Sequence, residues 1–127
     1  MYQVNVSSSG GYHFEVKAKE HTFMVDMKGS AGVTPLDVFL AGLGSCLGVY
    51  LRKYIENAKL TLEQFSIDLA ADLSKETPVC FRNIAVSIDL KGANLDTRRI
   101  QAILEFIKNC PAHNTLKNNP EVGIKII

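Results

Sequence analysis

Apolar and polar side chains alternate through the first part of the chain, which is the pattern of strands with one buried face. The alternation occurs in three short runs, residues 2–6, 12–16 and 23–27. Serines and glycines separate the first two runs, and a short polar turn separates the second from the third. We therefore predict three antiparallel strands, followed by a glycine-containing loop at residues 28–32.

The spacing changes to that of a helix after residue 34. Thr34 is a good N-cap residue, and Pro35 suits the first helical position. Large apolar side chains then recur every three or four positions, at Leu36, Phe39, Leu40, Leu43, Leu47, Tyr50, Leu51 and Tyr54. This pattern predicts a helix from Pro35 to about residue 58.

The second half of the chain returns to alternation. Residues 65–73 and 84–90 predict two long strands, each half-buried. Asp96 is placed to cap a second helix, and Pro111 ends that helix and can begin a short third one. Residues 122–126 alternate again and predict a closing strand.

The element order is β-β-β-α-β-β-α-(α)-β, which is typical of an α+β domain with a mainly antiparallel sheet. No internal repeat or linker interrupts residues 1–127, so we predict a single domain. The first helix carries small residues opposite its apolar stripe and has no polar face, so it must be covered all round. We expect Gly44 and Gly48 to allow the close approach of a second helix, supplied by a partner subunit.

Charge and composition exclude several functions. The chain has 14 basic and 13 acidic side chains, so no strong field favours nucleic acid or an anionic membrane. The uncharged run at residues 38–51 is shorter than the roughly 20 residues of a spanning helix and predicts a buried core helix. The first residues lack the pattern of a secretory leader, and three cysteines form no dense disulfide framework. We expect a cytoplasmic protein with reduced thiols and without a bound cofactor.

Cys46 and Cys110 are the main candidates for chemistry. If the fold brings these two helix-borne thiols together, a redox cycle becomes possible; otherwise both are small hydrophobic side chains in a core. Cys80 lies in a predicted hairpin and is expected to be incidental. Cys110 and His113 have the spacing of metal ligands, but a structural zinc normally needs four clear ligands, and no metal site is expected.

Three segments resemble the OsmC/Ohr family of osmotically inducible and organic hydroperoxide resistance proteins. The first leads into Cys46 and reads TPLDVFLAGLGSC; the second, residues 82–92, is similar to the long central strand of the family. The third begins at Cys110 and reads CPAHNTL. The similarity extends from about residue 12 to the end of the chain, and the predicted element order agrees with it.

The resemblance implies an intertwined homodimer with the long helices at its centre. It also implies a thiol-dependent peroxidase that reduces hydroperoxides, in which Cys46 becomes a sulfenic acid. Cys110 then forms a disulfide with it, and an external dithiol reduces the disulfide. The alternative is a non-catalytic or weakly active protein of the same fold that binds an apolar ligand at the dimer interface.

Two positions differ from the peroxidase pattern that the resemblance implies. Family members active on organic hydroperoxides use an N-terminal arginine and a glutamate to activate the first cysteine. No arginine precedes Arg52, and Leu36 stands where the glutamate is expected. Asp37 follows it, as in a less characterised subgroup, and is the third candidate catalytic residue. We therefore expect weak activation of Cys46 and slow turnover.

Overall fold

A computed structural model describes all 127 residues. The chain forms two compact units, Met1–Ala41 and Gly42–Ile127. The first unit contains a three-stranded antiparallel sheet, and the second contains a two-stranded antiparallel sheet with two shorter helices. Helix α1 (Pro35–Asn57) begins in the first unit and continues through the second. The predicted α+β class with antiparallel strand pairing is confirmed.

The sheet of the first unit has the order β1 (Asn5–Ser7), β2 (His13–Ala18) and β3 (His21–Asp26). Val16 of β2 faces Phe23 on one neighbouring strand and Val6 on the other, so the alternating apolar positions are in register. Strand β1 is shorter than predicted. Residues 1–4 pair with no strand, and their side chains are exposed.

Asp26 organises the loop that leads from β3 to α1. Its carboxylate, only 6% exposed, accepts hydrogen bonds from the backbone N–H groups of Ala31 and Lys28 and from the hydroxyl of Ser30, each 2.9 Å long. These bonds stabilise the charged form and lower the pKa of Asp26 to about 2. The sequence predicts a loop here, but the role of Asp26 was not predicted.

The second unit contains β4 (Ser66–Leu73) paired with β5 (Phe81–Asp89), followed by α2 (Thr97–Ile107) and α3 (Pro111–Lys117). Asp96 caps α2 as predicted, because its carboxylate accepts the backbone N–H of Arg99 at 2.8 Å.

The core of the second unit lies between one stripe of α1 and the inner face of α2. Its buried members are Leu43, Leu47, Leu51, Ile55, Leu62, Ile103, Ile107 and Cys110. Burying each aliphatic side chain of this kind stabilises the fold by about 1.5–3 kcal/mol. By length and composition α1 would also suit a membrane span, but the core helix of a soluble protein passes the same test.

The two small residues of α1 approach a strand of the same chain. A Cβ built on Gly44 would lie 2.5 Å from Cδ1 of Leu69 on β4, and one built on Gly48 would lie 3.6 Å from Cδ1 of Ile67. The expectation that these glycines admit a second helix is therefore wrong, since β4 occupies that side of α1. Absence of a Cβ at Gly44 allows this close packing.

The predicted closing strand at residues 122–126 is also wrong. Residues 119–127 have no regular secondary structure, and the side chains of Val122, Ile124 and Ile126 are at least 75% exposed. A strand is stabilised by backbone hydrogen bonds to a neighbouring strand, and no strand of this chain pairs with the segment. Alternation alone therefore did not suffice to form a strand.

Candidate active site

Cys46 lies near the middle of α1, at the edge of the core stripe formed by Leu43 and Leu47. Its side chain is half-buried and packs against the core. Because the residue is far from either end of the helix, the dipole of α1 contributes little to its charge state. The Cys46 side chain is therefore partly accessible to solvent and partly in contact with the core.

Cys110 lies at the junction between α2 and α3. Its side chain is 0% exposed, and its backbone N–H donates to the carbonyl oxygen of Ile107 at 3.1 Å. Pro111 occupies the first turn of α3, and the backbone N–H of His113 donates to Sγ of Cys110 at 3.5 Å. Cys110 thus serves as the N-cap of α3, and the break imposed by proline holds its thiol at a fixed place.

The fold brings these two thiols together, although they are 64 positions apart in the sequence. Burial raises the pKa of the Cys110 thiol above the ordinary value of 9.0, and a side-chain hydrogen bond with Cys46 raises it further. Cys110 therefore retains its proton at neutral pH. The two side chains are therefore neighbours, and a redox cycle between them stays a prediction.

A cleft of about 510 Å³ lies in the second unit, and its walls include Leu47, which follows Cys46 in α1, and His113, whose backbone N–H donates to Cys110. Its walls come from α1, β5 and α3 and consist of Leu43, Leu47, Phe81, Arg82, Ile84, Val86, His113, Leu116 and Lys117. Apolar side chains form most of the surface, while Arg82 and Lys117 provide positive charge. A pocket of this size and composition is typical of a small-molecule site.

His113 connects the cleft with Cys110. Its side chain lines the cleft, and its Nδ1 atom is buried without a hydrogen-bond partner. The sequence identified His113 only as a possible metal ligand. No group of three or more His, Cys, Asp or Glu side chains comes together in a way that could hold a metal ion. No signal in the sequence indicated the unpartnered Nδ1 atom, because which groups surround it is set only when the chain folds.

Asp37, the third predicted site residue, forms a capping box with Thr34. Its Oδ2 accepts the Thr34 hydroxyl at 2.7 Å, and Oγ1 of Thr34 accepts the Asp37 backbone N–H at 3.3 Å. These bonds explain why α1 begins at Pro35. The side chain is exposed, and a catalytic role for Asp37 stays a prediction.

Cys80 is half-buried and lies immediately before β5. Its backbone N–H donates to Oγ of Ser74 at 3.2 Å, and its carbonyl oxygen accepts the Ser74 N–H at 2.9 Å. These bonds close the β4–β5 connection. That Cys80 has no part in the chemistry stays a prediction.

Comparison with known proteins matches most of the chain to one family. The family described as OsmC-like protein matches residues 27–125. A curated relative, the hydroperoxide reductase of Mycoplasma genitalium, is 29% identical over 101 residues, which cover 76% of this chain and 71% of the relative.

Solved structures share the fold. The OsmC-like protein of Mycoplasma pneumoniae has a TM-score of 0.81 at 18% identity, covering 94% of this chain and 89% of its own. The organic hydroperoxide resistance protein OhrB of Bacillus subtilis has a TM-score of 0.65 at 20% identity, covering 94% and 92%. At these identities the similarity shows a common fold.

Proposed function

Because the chain belongs to the OsmC-like protein family, we propose that it is a thiol-dependent peroxidase that reduces organic hydroperoxides through Cys46 and Cys110. The observation that carries the proposal is that the side chains of Cys46 and Cys110 are neighbours in the core of the second unit, where Cys46 contributes to the raised pKa of the Cys110 thiol. A disulfide requires Cα atoms within about 7 Å of each other, so neighbouring side chains are what the resolving step needs. The name of the relative from Mycoplasma genitalium agrees with this chemistry.

Cys46 is the nucleophile in this proposal. It is half-buried, whereas Cys110 is fully buried and keeps its proton. The Cys46 thiolate attacks the distal peroxide oxygen, so that an S–O bond forms and the O–O bond breaks. The alkoxide takes up a proton and leaves as an alcohol, and Cys46 becomes a sulfenic acid.

Cys110 then resolves the sulfenic acid. Its sulfur attacks Sγ of Cys46, a disulfide forms, and the hydroxyl group leaves as water. An external dithiol reduces the disulfide and returns both cysteines to thiols. The cleft lined by Leu47 and His113 would hold the organic part of the peroxide, because most of its walls are apolar.

Consumption of cumene hydroperoxide in the presence of a dithiol tests the proposal. The wild type should consume the peroxide, and Cys46→Ser should not. Cys80→Ser is the matched control, because it removes a thiol of similar burial that lies outside the pair, and it should retain the wild-type rate. Equal rates for the wild type and Cys46→Ser would refute the peroxidase function.

Ligand binding without turnover is the second candidate, and the volume of the cleft favours it. Its value of about 510 Å³ lies within the range of about 300–1,000 Å³ that is usual for small-molecule pockets. In that case an apolar anion would bind equally well to the wild type and to Cys46→Ser, and neither protein would consume peroxide. The same two proteins therefore distinguish the two functions.

We also propose that the protein is a homodimer. Phe39 and Val49 of α1 are 46% and 53% exposed, although a helix of this composition is expected to be covered. The exposed apolar residues 122–127 would likewise be buried by pairing with a strand of another copy. Light scattering at micromolar concentration should give twice the mass of 14.0 kDa, and a compact monomer would contradict the proposal.

A further inference from the structure

We infer that the His113 imidazole accepts the proton that Cys110 loses when it attacks the oxidised Cys46 sulfur. This role rests on the proposed peroxidase function and concerns its second step. It assigns a base to a thiol that the fold otherwise keeps protonated. The inference depends on the environment of Cys110, the unpartnered nitrogen of His113 and the charges around the cleft.

Cys110 needs a base because its surroundings oppose ionisation. Its side chain is fully buried, so bulk water does not reach the sulfur to accept the proton. The thiolate is the attacking form in disulfide formation, and burial together with the neighbouring Cys46 raises the pKa of Cys110. Without a nearby acceptor, only a small fraction of Cys110 would be reactive at neutral pH.

His113 is held beside this thiol by the geometry of a helix start. Cys110 is the N-cap of α3, and the backbone N–H of His113 donates to its sulfur at 3.5 Å. The two residues therefore lie in one turn of backbone, and this hydrogen bond holds the backbone of His113 against the sulfur. Pro111 restricts the backbone of the same turn further.

The Nδ1 atom of His113 is buried and has no hydrogen-bond partner. Leaving such an atom unpaired is destabilising, so its persistence in a fold calls for an explanation. In a neutral imidazole one ring nitrogen is an acceptor with a free lone pair. If the proton is on Nε2, Nδ1 is that acceptor, and no other group of the protein occupies it.

The charged side chains that line the cleft with His113 are Arg82 of β5 and Lys117 of α3, and both are positive. No carboxylate lines the cleft to compete with His113 for the proton of Cys110. The cleft also provides a route by which the proton and the water product can leave.

The proton that Cys110 releases ends in the water that leaves. Before the step, Cys46 is a sulfenic acid, Cys110 is a thiol and His113 is neutral. The S–H bond of Cys110 breaks, its proton passes to Nδ1, and the thiolate forms the S–S bond as the S–O bond of Cys46 breaks. The imidazolium then gives its proton to the departing hydroxide, so that water leaves and His113 is neutral again.

The pH dependence of disulfide formation in the wild type tests the inference directly. Reduced protein is mixed with one equivalent of cumene hydroperoxide, and both the dimedone-trapped sulfenic acid and the 46–110 disulfide are followed by mass spectrometry. Because the pKa of Cys110 is raised, an unaided thiol should react faster as the pH rises through about 9. With a base that takes the proton, the rate of disulfide formation should instead vary little between about pH 8 and 9. A rate that rises steadily through pH 9 would overturn the inference.

The His113→Gln variant supplies the second test, with His21→Gln as the matched control on an exposed strand position. At pH 7 His113→Gln should form the disulfide about 10²-fold more slowly, with sulfenic acid formation unchanged, because general bases contribute about 10²- to 10⁴-fold. His21→Gln should behave as the wild type. An unchanged rate in His113→Gln would refute the role of His113 while leaving the peroxidase function intact. A wild type that forms no 46–110 disulfide would refute both.

Discussion

Gly44 of α1 packs directly against the side chain of Leu69 on β4, so closely that an added Cβ would lie 2.5 Å from Leu69 Cδ1. Real Cβ atoms do not approach a neighbour to this distance. The contact determines how near α1 lies to the sheet of the second unit, and α1 carries Cys46 two residues further on. The spacing of the site therefore depends on the absence of a side chain at Gly44.

We expect Gly44→Ala to lower the free energy of unfolding by about 1–2 kcal/mol. Overpacking a core usually costs about 1–3 kcal/mol, and the gain in helix propensity of about 0.5–1 kcal/mol offsets part of this cost. Gly48→Ala is the matched control: its Cβ would meet Ile67 at an ordinary contact distance of 3.6 Å, so it should be neutral or slightly stabilising. Urea denaturation measures both, and a Gly44→Ala protein as stable as Gly48→Ala would contradict the packing argument.

Asp26 should make the first unit sensitive to acid. The pKa of Asp26 is about 2 in the folded chain, compared with an ordinary value of 3.8. The contribution of its carboxylate to the free energy of unfolding is therefore complete above about pH 4 and is lost as the pH falls through about 2. We expect Asp26→Asn to abolish this component of the pH dependence and to loosen the loop before α1. The exposed Asp72→Asn is the control. The free energy of unfolding measured between pH 2 and 6 should then fall less steeply with acid in Asp26→Asn than in Asp72→Asn.

Mild oxidation should join Cys46 to Cys110 and leave Cys80 free. The first two side chains are neighbours in the core of the second unit, whereas the backbone bonds of Cys80 to Ser74 hold it in the β4–β5 connection. Peptide mapping after treatment with one equivalent of peroxide identifies the linked pair. A disulfide that includes Cys80, found at the same rate as the 46–110 bond, would show that the pairing does not follow the folded geometry.

Turnover of organic hydroperoxides should be slow for this fold. The chain has no arginine before Arg52, and Leu36 stands where the family resemblance leads us to expect a glutamate. Loss of such activation costs about 10²- to 10⁴-fold, so we expect kcat/KM for cumene hydroperoxide to be lower by about this factor than in arginine-bearing family members. A comparable kcat/KM would mean that another donor activates Cys46, and replacing Lys17, Lys19 or Lys28 by Met would then identify it.

Local signals in the sequence predict the secondary structure of most of the chain. The helical spacing after Thr34 and the caps at Pro35 and Asp96 placed both ends of α1 and the start of α2 within a residue or two of where they lie, whereas α2 ends at Ile107, before the predicted break at Pro111. These signals are local, since a cap or a periodic stripe acts through neighbouring residues. The resemblance to the OsmC/Ohr family likewise depended on short contiguous motifs, and the match of residues 27–125 confirms it.

The folded chain was needed to show that β4 covers the side of α1 that carries Gly44 and Gly48. Gly44 and Gly48 indicated a close neighbour, but a small residue does not specify whether that neighbour is a helix or a strand. The alternation at residues 122–126 indicated a strand, yet a strand also needs an edge to pair with, which depends on the rest of the fold. Two features of the candidate site also depend on the whole fold. Cys46 and Cys110 become neighbours although they lie far apart in the chain, and the nitrogen of His113 is unpartnered because the surrounding residues exclude water. Neither feature is encoded in a local pattern.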